Sequence, residues 1–418
     1  MPGLVATPMC VGVAAVVASS LQHDSALRRL LSLAPLTFIG RISYSLYLVH
    51  WPLLALATYR LDRPLRLVEA MAIVAISLGL SVISWKYIER PFREGRSHSW
   101  VEHRKFIFGS AAAVACLVIV GNSIASYDGW PWRYDGHVGK MLREMSSTNP
   151  RRERCDGADR IFADDEYCNV GVRKLSNVSY DVALFGDSMA DQWEPLLVHA
   201  AQQRGWSARQ VTHGGCGFFP GIELPVFKDV KQRECAHYLE QALQFIKANP
   251  GLKLAIVSAW WASWKARLDH HPIPRTRHQL ISSAIADYAG PGFEDAIRRM
   301  IKVFRDRGIK VHIIGPAATL IFRMDCLTKA ASKQLDFAEC GVSAERTHAS
   351  LDPINAIFAQ AAAADPGVTY SLPTDFTCNG GTCSPVIEDV FVYRRDGFHL
   401  NYEGARLLSK FIHLPNLN

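Results

Sequence analysis

Among its ten cysteines and fifteen histidines the chain has no Cys-x-x-Cys pair and no Cys/His cluster at metal-ligand spacing. A zinc site is therefore the weaker reading of those cysteines. The adjacent His270 and His271 do not repair the deficit, because neighbouring side chains rarely converge on one ion; they read as a solvated loop. Charge is also scarce over the first part of the chain. Charged residues make up 20% of the 418, an ordinary share, yet long apolar runs dominate before about Ser126, and Ile107 to Ala125 has no charge at all. The first apolar run, Leu4 to Ser20, has no basic residue before it, which disfavours a secretory signal peptide. A net charge of +7 does not make the chain a nucleic-acid binder. Much of the excess lies in short loops beside apolar runs, where basic residues set membrane orientation.

What the first 126 residues do contain is four apolar runs that read as membrane spans: Leu4–Ser20, Leu36–Tyr59, Leu67–Tyr87 and Ile107–Ala125. About 20 apolar residues are needed to cross the hydrocarbon, so the last run is the firmest and the first the weakest. The second carries Arg41 and His50, candidate membrane-site residues because ionisable groups within a span face a partner or a cavity. A histidine satisfied by neighbouring helices beside a kink at Pro52 is an equal reading of His50. Lys and Arg are densest between the third and fourth runs, from Arg90 to Lys105, and Arg28-Arg29 lie in the first loop. Those loops are expected to be cytoplasmic, which puts the polar remainder outside the membrane; Arg60, Arg63 and Arg66 lie on the opposite side.

The cysteines bear on the same placement. Cys10 and Cys116 lie in apolar runs, while the other eight lie in the polar part as sequence-local pairs, 155–168, 216–235, 326–340 and 378–383. That pattern suits disulfides in an oxidising compartment.

Residues 127–180 show little apolar periodicity and read as an extracytoplasmic connector. From Asp181 to the end, strand-like runs such as Val182–Phe185, Ala208–Thr212, Leu254–Ser258, Val311–Ile314 and Val368–Ser371 alternate with helical patterns. The alternation predicts a three-layer α/β domain over 181–418 with a parallel sheet. Sites in such sheets form at the carboxyl ends of the strands. Ser188 sits there, directly after the first strand, where a following helix N-terminus offers unpaired N–H groups to a developing negative charge. Gly214-Gly215 follows the second strand, and without a side chain its backbone can approach an oxyanion. Asp396 and His399 share one turn near the C-terminus, a carboxylate and an imidazole able to act as orienter and general base for Ser188. Gly-Asp-Ser alone is a common helix cap; it is the combination at both ends of one domain that points to acyl chemistry.

Phe185-Gly186-Asp187-Ser188 and Asp396-Gly397-Phe398-His399-Leu400 resemble the first and last motif blocks of SGNH (GDSL-type) hydrolases. The resemblance implies Ser188 as nucleophile, Asp396 and His399 as its triad partners, and the Ser188 and Gly215 backbone N–H groups as oxyanion-hole donors. Met189 replaces the usual His or Leu, and Ser258-Ala259-Trp260-Trp261 stands where a Gly-x-Asn is expected, so a third donor is unassigned.

Gly40 through Pro52 (Gly-Arg-Ile-Ser-Tyr-Ser-Leu-Tyr-Leu-Val-His-Trp-Pro) and Ile88-Glu89-Arg90-Pro91-Phe92 resemble the closing motifs of the acyltransferase 3 family of membrane proteins. Members carry more spans than this chain, with a functional histidine and arginines in their N-terminal half, so the chain corresponds to the closing part of that pattern and is expected to be a fragment or an internal start. The fusion of the two families implies an inner-membrane, multi-pass protein with its C-terminal domain in the periplasm. It implies O-acetyl transfer from an acetyl-CoA-derived donor to a cell-surface glycan, with no cofactor. An acetyl esterase of the same glycans and a silent glycan-binding fragment are the alternatives. Trp260, Trp261 and Trp264 are candidates for a sugar-stacking platform, or else core residues.

Overall fold

The apolar runs of the N-terminal part fold as long helices. The computed structural model describes residues 11–13, 26–61, 65–90, 100–127, 129–130, 132, 136–163, 166–171, 179–222, 229–269, 292–320, 326 and 337–417. The chain divides into two compact units, Met1–Asn122 and Ser123–Asn418.

In the first unit, α1 (Ala34–Leu61) holds Pro52 in its interior, α2 (Leu67–Ser84) continues through a π-helical turn at Trp85–Glu89, and α3 spans Trp100–Ser126. The backbone N–H of Arg66 donates to Glu69 Oε2 at 2.9 Å, closing the start of α2. Small polar residues let α1 and α2 approach closely. Ile42, Ser45, Ser77 and Ser81 are buried between them, and the Ser45 hydroxyl donates to Glu89 Oε2 at 2.9 Å. Among the described residues, two helices are long and apolar enough to cross a membrane: Leu67–Glu89 (23 residues) and Ile107–Ser126 (20 residues). The expected spans at Leu36–Tyr59 and Leu4–Ser20 do not join them. The former coincides with α1, and the latter lies largely outside the described residues, as does Cys10. Cys116 is exposed on α3.

The second unit is built on one six-stranded sheet. Its strands are β1 (Asn169–Gly171), β2 (Val182–Gly186), β3 (Ser207–Thr212), β4 (Leu254–Ser258), β5 (Lys310–Ile314) and β6 (Val368–Ser371). Their order is β1-β3-β2-β4-β5-β6. Five strands run parallel, as the alternation predicts, but β1 pairs antiparallel with β3. The sheet is therefore mixed: mostly parallel, as expected, with one antiparallel strand at this edge. β1 comes from the stretch that reads as a connector. The same stretch supplies the Cys155–Cys168 disulfide and Asn149, whose amide donates to Asp191 Oδ1 at 2.7 Å and Gln210 Oε1 at 3.0 Å. The other three disulfides also join the expected pairs, 216–235, 326–340 and 378–383.

β2 and β4 are buried along their whole length, as strands covered on both faces must be. Alternation along β2 sends Ala183 and Phe185 into one core and Val182 and Leu184 into the other. The first core is closed by α7 (Asp229–Ala248), α8 (Trp261–Leu268), α9 (Phe293–Arg305) and α10 (Ala344–Ala364). The second is closed by α4 (Gly136–Glu144), α5 (Ser188–Asp191), α6 (Glu194–Arg204) and α11 (Tyr402–Leu408). Gly186 lies opposite Thr212 on one side and Ser258 on the other. The loops after β2, β3 and β4 therefore leave the sheet at one edge.

Candidate active site at the carboxyl edge of the sheet

The turn after β2 can be made only with glycine at its first corner. Gly186 has φ +136°, and a Cβ there would overlap the carbonyl oxygen of Ser258. Asp187 follows as the N-cap of α5, its Oδ1 accepting the Met189 N–H at 2.8 Å. Its other oxygen, Oδ2, accepts from the Trp260 backbone N–H at 3.0 Å and from Trp264 Nε1 at 2.8 Å. Burial pushes the Asp187 carboxyl up, against the pull of those three donors and of the nearby His399. Asp187 thus fastens the serine turn to the loop after β4. Trp260 N–H, within the Ser258-Ala259-Trp260-Trp261 segment that stands in place of Gly-x-Asn, is committed to this carboxylate.

Ser188 opens α5, and the chain brings Asp396 and His399 to it from 208 and 211 residues away in the sequence. His399 Nε2 lies 2.8 Å from Ser188 Oγ, and His399 Nδ1 lies 3.0 Å from Asp396 Oδ2. The turn that carries the pair is held locally. Asp396 Oδ1 accepts the N–H groups of Phe398 at 3.1 Å and His399 at 2.9 Å, and Gly397 takes a φ of +75°. Long-range fastenings are the Leu400 N–H to Gln192 Oε1 at 2.8 Å and the Asn401 amide to the carbonyls of Phe391 and Tyr393. Burial raises the Asp396 carboxyl, but the hydrogen bonds from the His399 ring and from the backbone of His399 and Phe398 outweigh it and hold the group below the usual carboxylate range. An ionised acceptor on Nδ1 leaves Nε2 free to receive a proton from the hydroxyl. Chemically, the arrangement suits nucleophilic attack by a hydroxyl on an acyl carbon.

The other sequence candidates fall in different places. Gly215 lies three residues past the end of β3 with φ +79°. Of the three tryptophans, Trp261 and Trp264 are core residues, whereas Trp260 is 41% exposed and stacks face to face on Phe398, with ring centroids 5.0 Å apart. A cavity of about 20 Å³ beside this pair is lined by Met189, Trp193, Ser258, Gly315 and Thr319 among others. In the first unit, His50 lines a groove of about 500 Å³ between α1 and α2 and turns Nδ1 to the Leu46 carbonyl at 2.9 Å. Arg41 lies nine positions earlier on the same helix, about 13 Å along its axis, and does not line that groove. His270 and His271 lie outside the described residues, and no cluster of three or more metal-ligating side chains occurs among those described.

A protein-family model described as "SGNH domain (fused to AT3 domains)" matches residues 154–413. The chain belongs to this family. A second model, described as "Acyltransferase domain", matches residues 1–86. Together they make the protein an acyltransferase or esterase, and the acyltransferase domain together with the two apolar helices, of which Ile107–Ser126 follows it, makes it a membrane protein. No curated protein matches the chain. Among solved structures it is similar to the periplasmic domain of a lipopolysaccharide acetyltransferase from Salmonella ser. Paratyphi A. The identity is 15% and the TM-score 0.38, covering 58% of this chain and 88% of that one.

Sequence reasoning missed the residues that fasten the SGNH site from outside its motifs. Gln192 is one helical turn past Ser188, a spacing that gives it a place on the same face. Lys231 and Asp156, both bonded to Gly214, carry no local pattern that would single them out.

Proposed function

We propose that the protein O-acetylates a bacterial cell-surface polysaccharide through an acyl-enzyme on Ser188. The observation that carries this reading is the continuous hydrogen-bond line from Ser188 Oγ through both ring nitrogens of His399 to Asp396. As Oγ bonds to the acyl carbon of the donor, its proton passes to His399 Nε2, and the carbonyl oxygen becomes an oxyanion received by the backbone N–H groups of Ser188 and Gly215. Collapse breaks the bond to the leaving group, which takes the proton from His399. A glycan hydroxyl then attacks the ester carbon, loses its proton to His399, and leaves as the acetylated product while the proton returns to Ser188 Oγ. Asp396 keeps the imidazole in the tautomer this shuttle needs and stabilises the imidazolium.

The donor in this reading is acetyl-CoA-derived and is served by the acyltransferase domain. The protein sits as a multi-pass protein in the inner membrane with its C-terminal domain in the periplasm. The four disulfides of that domain support an oxidising location. The test is glycan acetylation in cells carrying Ser188→Ala, which should fall to background; unchanged acetylation overturns the reading. Water as acceptor would make the protein an esterase with the same acyl-enzyme. The two are separated by offering the full-length chain in detergent an aryl acetate with and without glycan: a transferase diverts acetyl from free acetate to sugar. A silent scaffold would bind glycan and turn over neither.

A further inference from the structure

We propose that Lys231 is a positioning residue of the oxyanion hole, aiming the Gly215 N–H by holding the carbonyl of the same peptide unit. The proposal rests on the acyl-enzyme reading above and on Gly215 as a donor in it.

In a planar trans peptide the carbonyl of one residue and the N–H of the next point in opposite directions. Whatever grips the Gly214 carbonyl therefore sets the direction of the Gly215 N–H. Lys231 Nζ, near the start of α7, donates to Gly214 O at 2.8 Å. Its side chain also lies against the loop, since a Cβ built on Gly215 would come within 3.1 Å of Lys231 Cε. The peptide before it is fastened as well. The Gly214 N–H donates to Asp156 Oδ2 at 3.0 Å, and the Thr212 hydroxyl donates to Asp156 Oδ1 at 2.7 Å. The next residue, Cys216, is bonded to Cys235, which lies four positions beyond Lys231 on α7. One face of one helix thus holds both the carbonyl before the proposed donor and the residue after it.

The clamp has a purpose because both residues are glycines. Glycine accepts either sign of φ, so an unheld Gly214–Gly215 peptide can turn over. A turned peptide would present a carbonyl lone pair, not an N–H, to the developing oxyanion. Lys231 also pairs with Glu234 Oε2 at 3.0 Å and lies 3.4 Å from His213 Nε2. The pair with Glu234 is partly exposed, and such pairs contribute little. The bond to Gly214 is the contact that bears on the chemistry. Since the oxyanion develops only once the ester is attacked and is absent from the bound ground state, loss of the clamp should lower kcat and leave KM for a simple ester in place.

The test uses the full-length chain in detergent with an aryl acetate. Lys231→Met, close in length and lacking the donor, should lower kcat roughly tenfold to a hundredfold with KM within about twofold. It should slow Ser188 phosphonylation by an aryl phosphonate ester, whose adduct carries the same oxyanion, by a similar factor. Lys231→Arg, which keeps a donor on a long stem, should recover most of both rates. Equal kcat in Lys231→Met, with Ser188→Ala inactive, would overturn the clamp while leaving the acyl-enzyme intact. A loss of kcat that Arg does not recover would also overturn it, as would a rise in KM alone. Should the Met variant not fold, Lys231→Gln, too short to span the same distance, is held to the same thresholds.

Discussion

At the scale of single residues, the site depends on carboxylates in unlike surroundings. Asp396 is held low by donors that all come from its own turn, which keeps it ionised for the part the proposed mechanism gives it beside His399. Asp396→Asn should retain the fold yet lower kcat by about 10³ to 10⁴, because an amide opposite Nδ1 permits the wrong tautomer; steady-state rates on an aryl acetate beside an unchanged melting curve would establish this. Asp191 is the opposite case. Burial and the nearby Asp156 push its carboxyl up to about 6, in spite of Arg152, Asn149 and Gln210. His312, buried on β5 between Thr369 and Ser371, is pushed down to about 4 by desolvation. Their effects on stability have opposite signs. For His312 the unfolded chain binds the extra proton, so stability is full above pH 6.5 and falls as pH drops toward 4. For Asp191 the folded chain binds it, so stability falls as pH rises from 3.8 to 6. Each amounts to about 3 kcal/mol over its range, and between pH 4 and 6 they largely offset one another. Asp191→Asn removes the counterweight, so its melting temperature should drop more steeply than that of the parent on acidification through this window. Parallel curves would contradict the assignment.

At the scale of elements, the strands and helices around the motifs were legible because both faces of the sheet are covered. That burial leaves short apolar runs separated by helical periodicity, and β2, β3, β4, β5 and β6 all follow it. The same reading could place Ser188, Asp396 and His399, whose motifs are local in sequence. It could not see β1. Three residues long, this strand has no periodicity of its own and exists because β3 offers it a free edge and Cys155–Cys168 closes the loop before it. Nor could it see that Arg209, a buried cation on β3, donates through Nη1 and Nη2 to Asn169 and to the carbonyls of Arg160, Ile161 and Ala163, all from the expected connector. Such pairings are long-range and leave no signature in spacing. They have a consequence for where the domain can be cut. A chain beginning at Tyr180 exposes the β3 edge, removes Asn169 and the carbonyls of Arg160, Ile161 and Ala163 from Arg209, and takes Asn149 and Arg152 from Asp191. Breaking a buried pair by removing one partner costs about 3 to 5 kcal/mol, a large part of the stability of a domain. Calorimetry should therefore find a cooperative transition for a fragment beginning at Ser123 and none for one beginning at Tyr180.

At the scale of the whole molecule, the chain answers to two solvents. Ile107–Ser126 and Leu67–Glu89 expose apolar side chains along their length, which is tolerable in lipid and costly in water. The SGNH unit has the reverse pattern, with apolar residues in two enclosed cores and eight cysteines closed into four short loops. A loop of about 15 residues contributes on the order of 3 kcal/mol when closed, stability that persists only where thiols are kept oxidised. The charge rule and the disulfides thus make the same demand on topology from independent physics. If the SGNH unit lies outside the cytoplasm, protease added to spheroplasts should digest it while the cells remain intact, leaving the apolar helices in a membrane fraction that alkaline carbonate does not strip. Thiol alkylation before lysis should leave the eight cysteines unmodified until a reductant is supplied. A cytoplasmic location would reverse both results: the unit would resist protease until lysis, and its thiols would react at once. In that case the disulfide loops could not be holding the Gly215 turn during catalysis, because Cys216 and Cys235 would be reduced where the enzyme works.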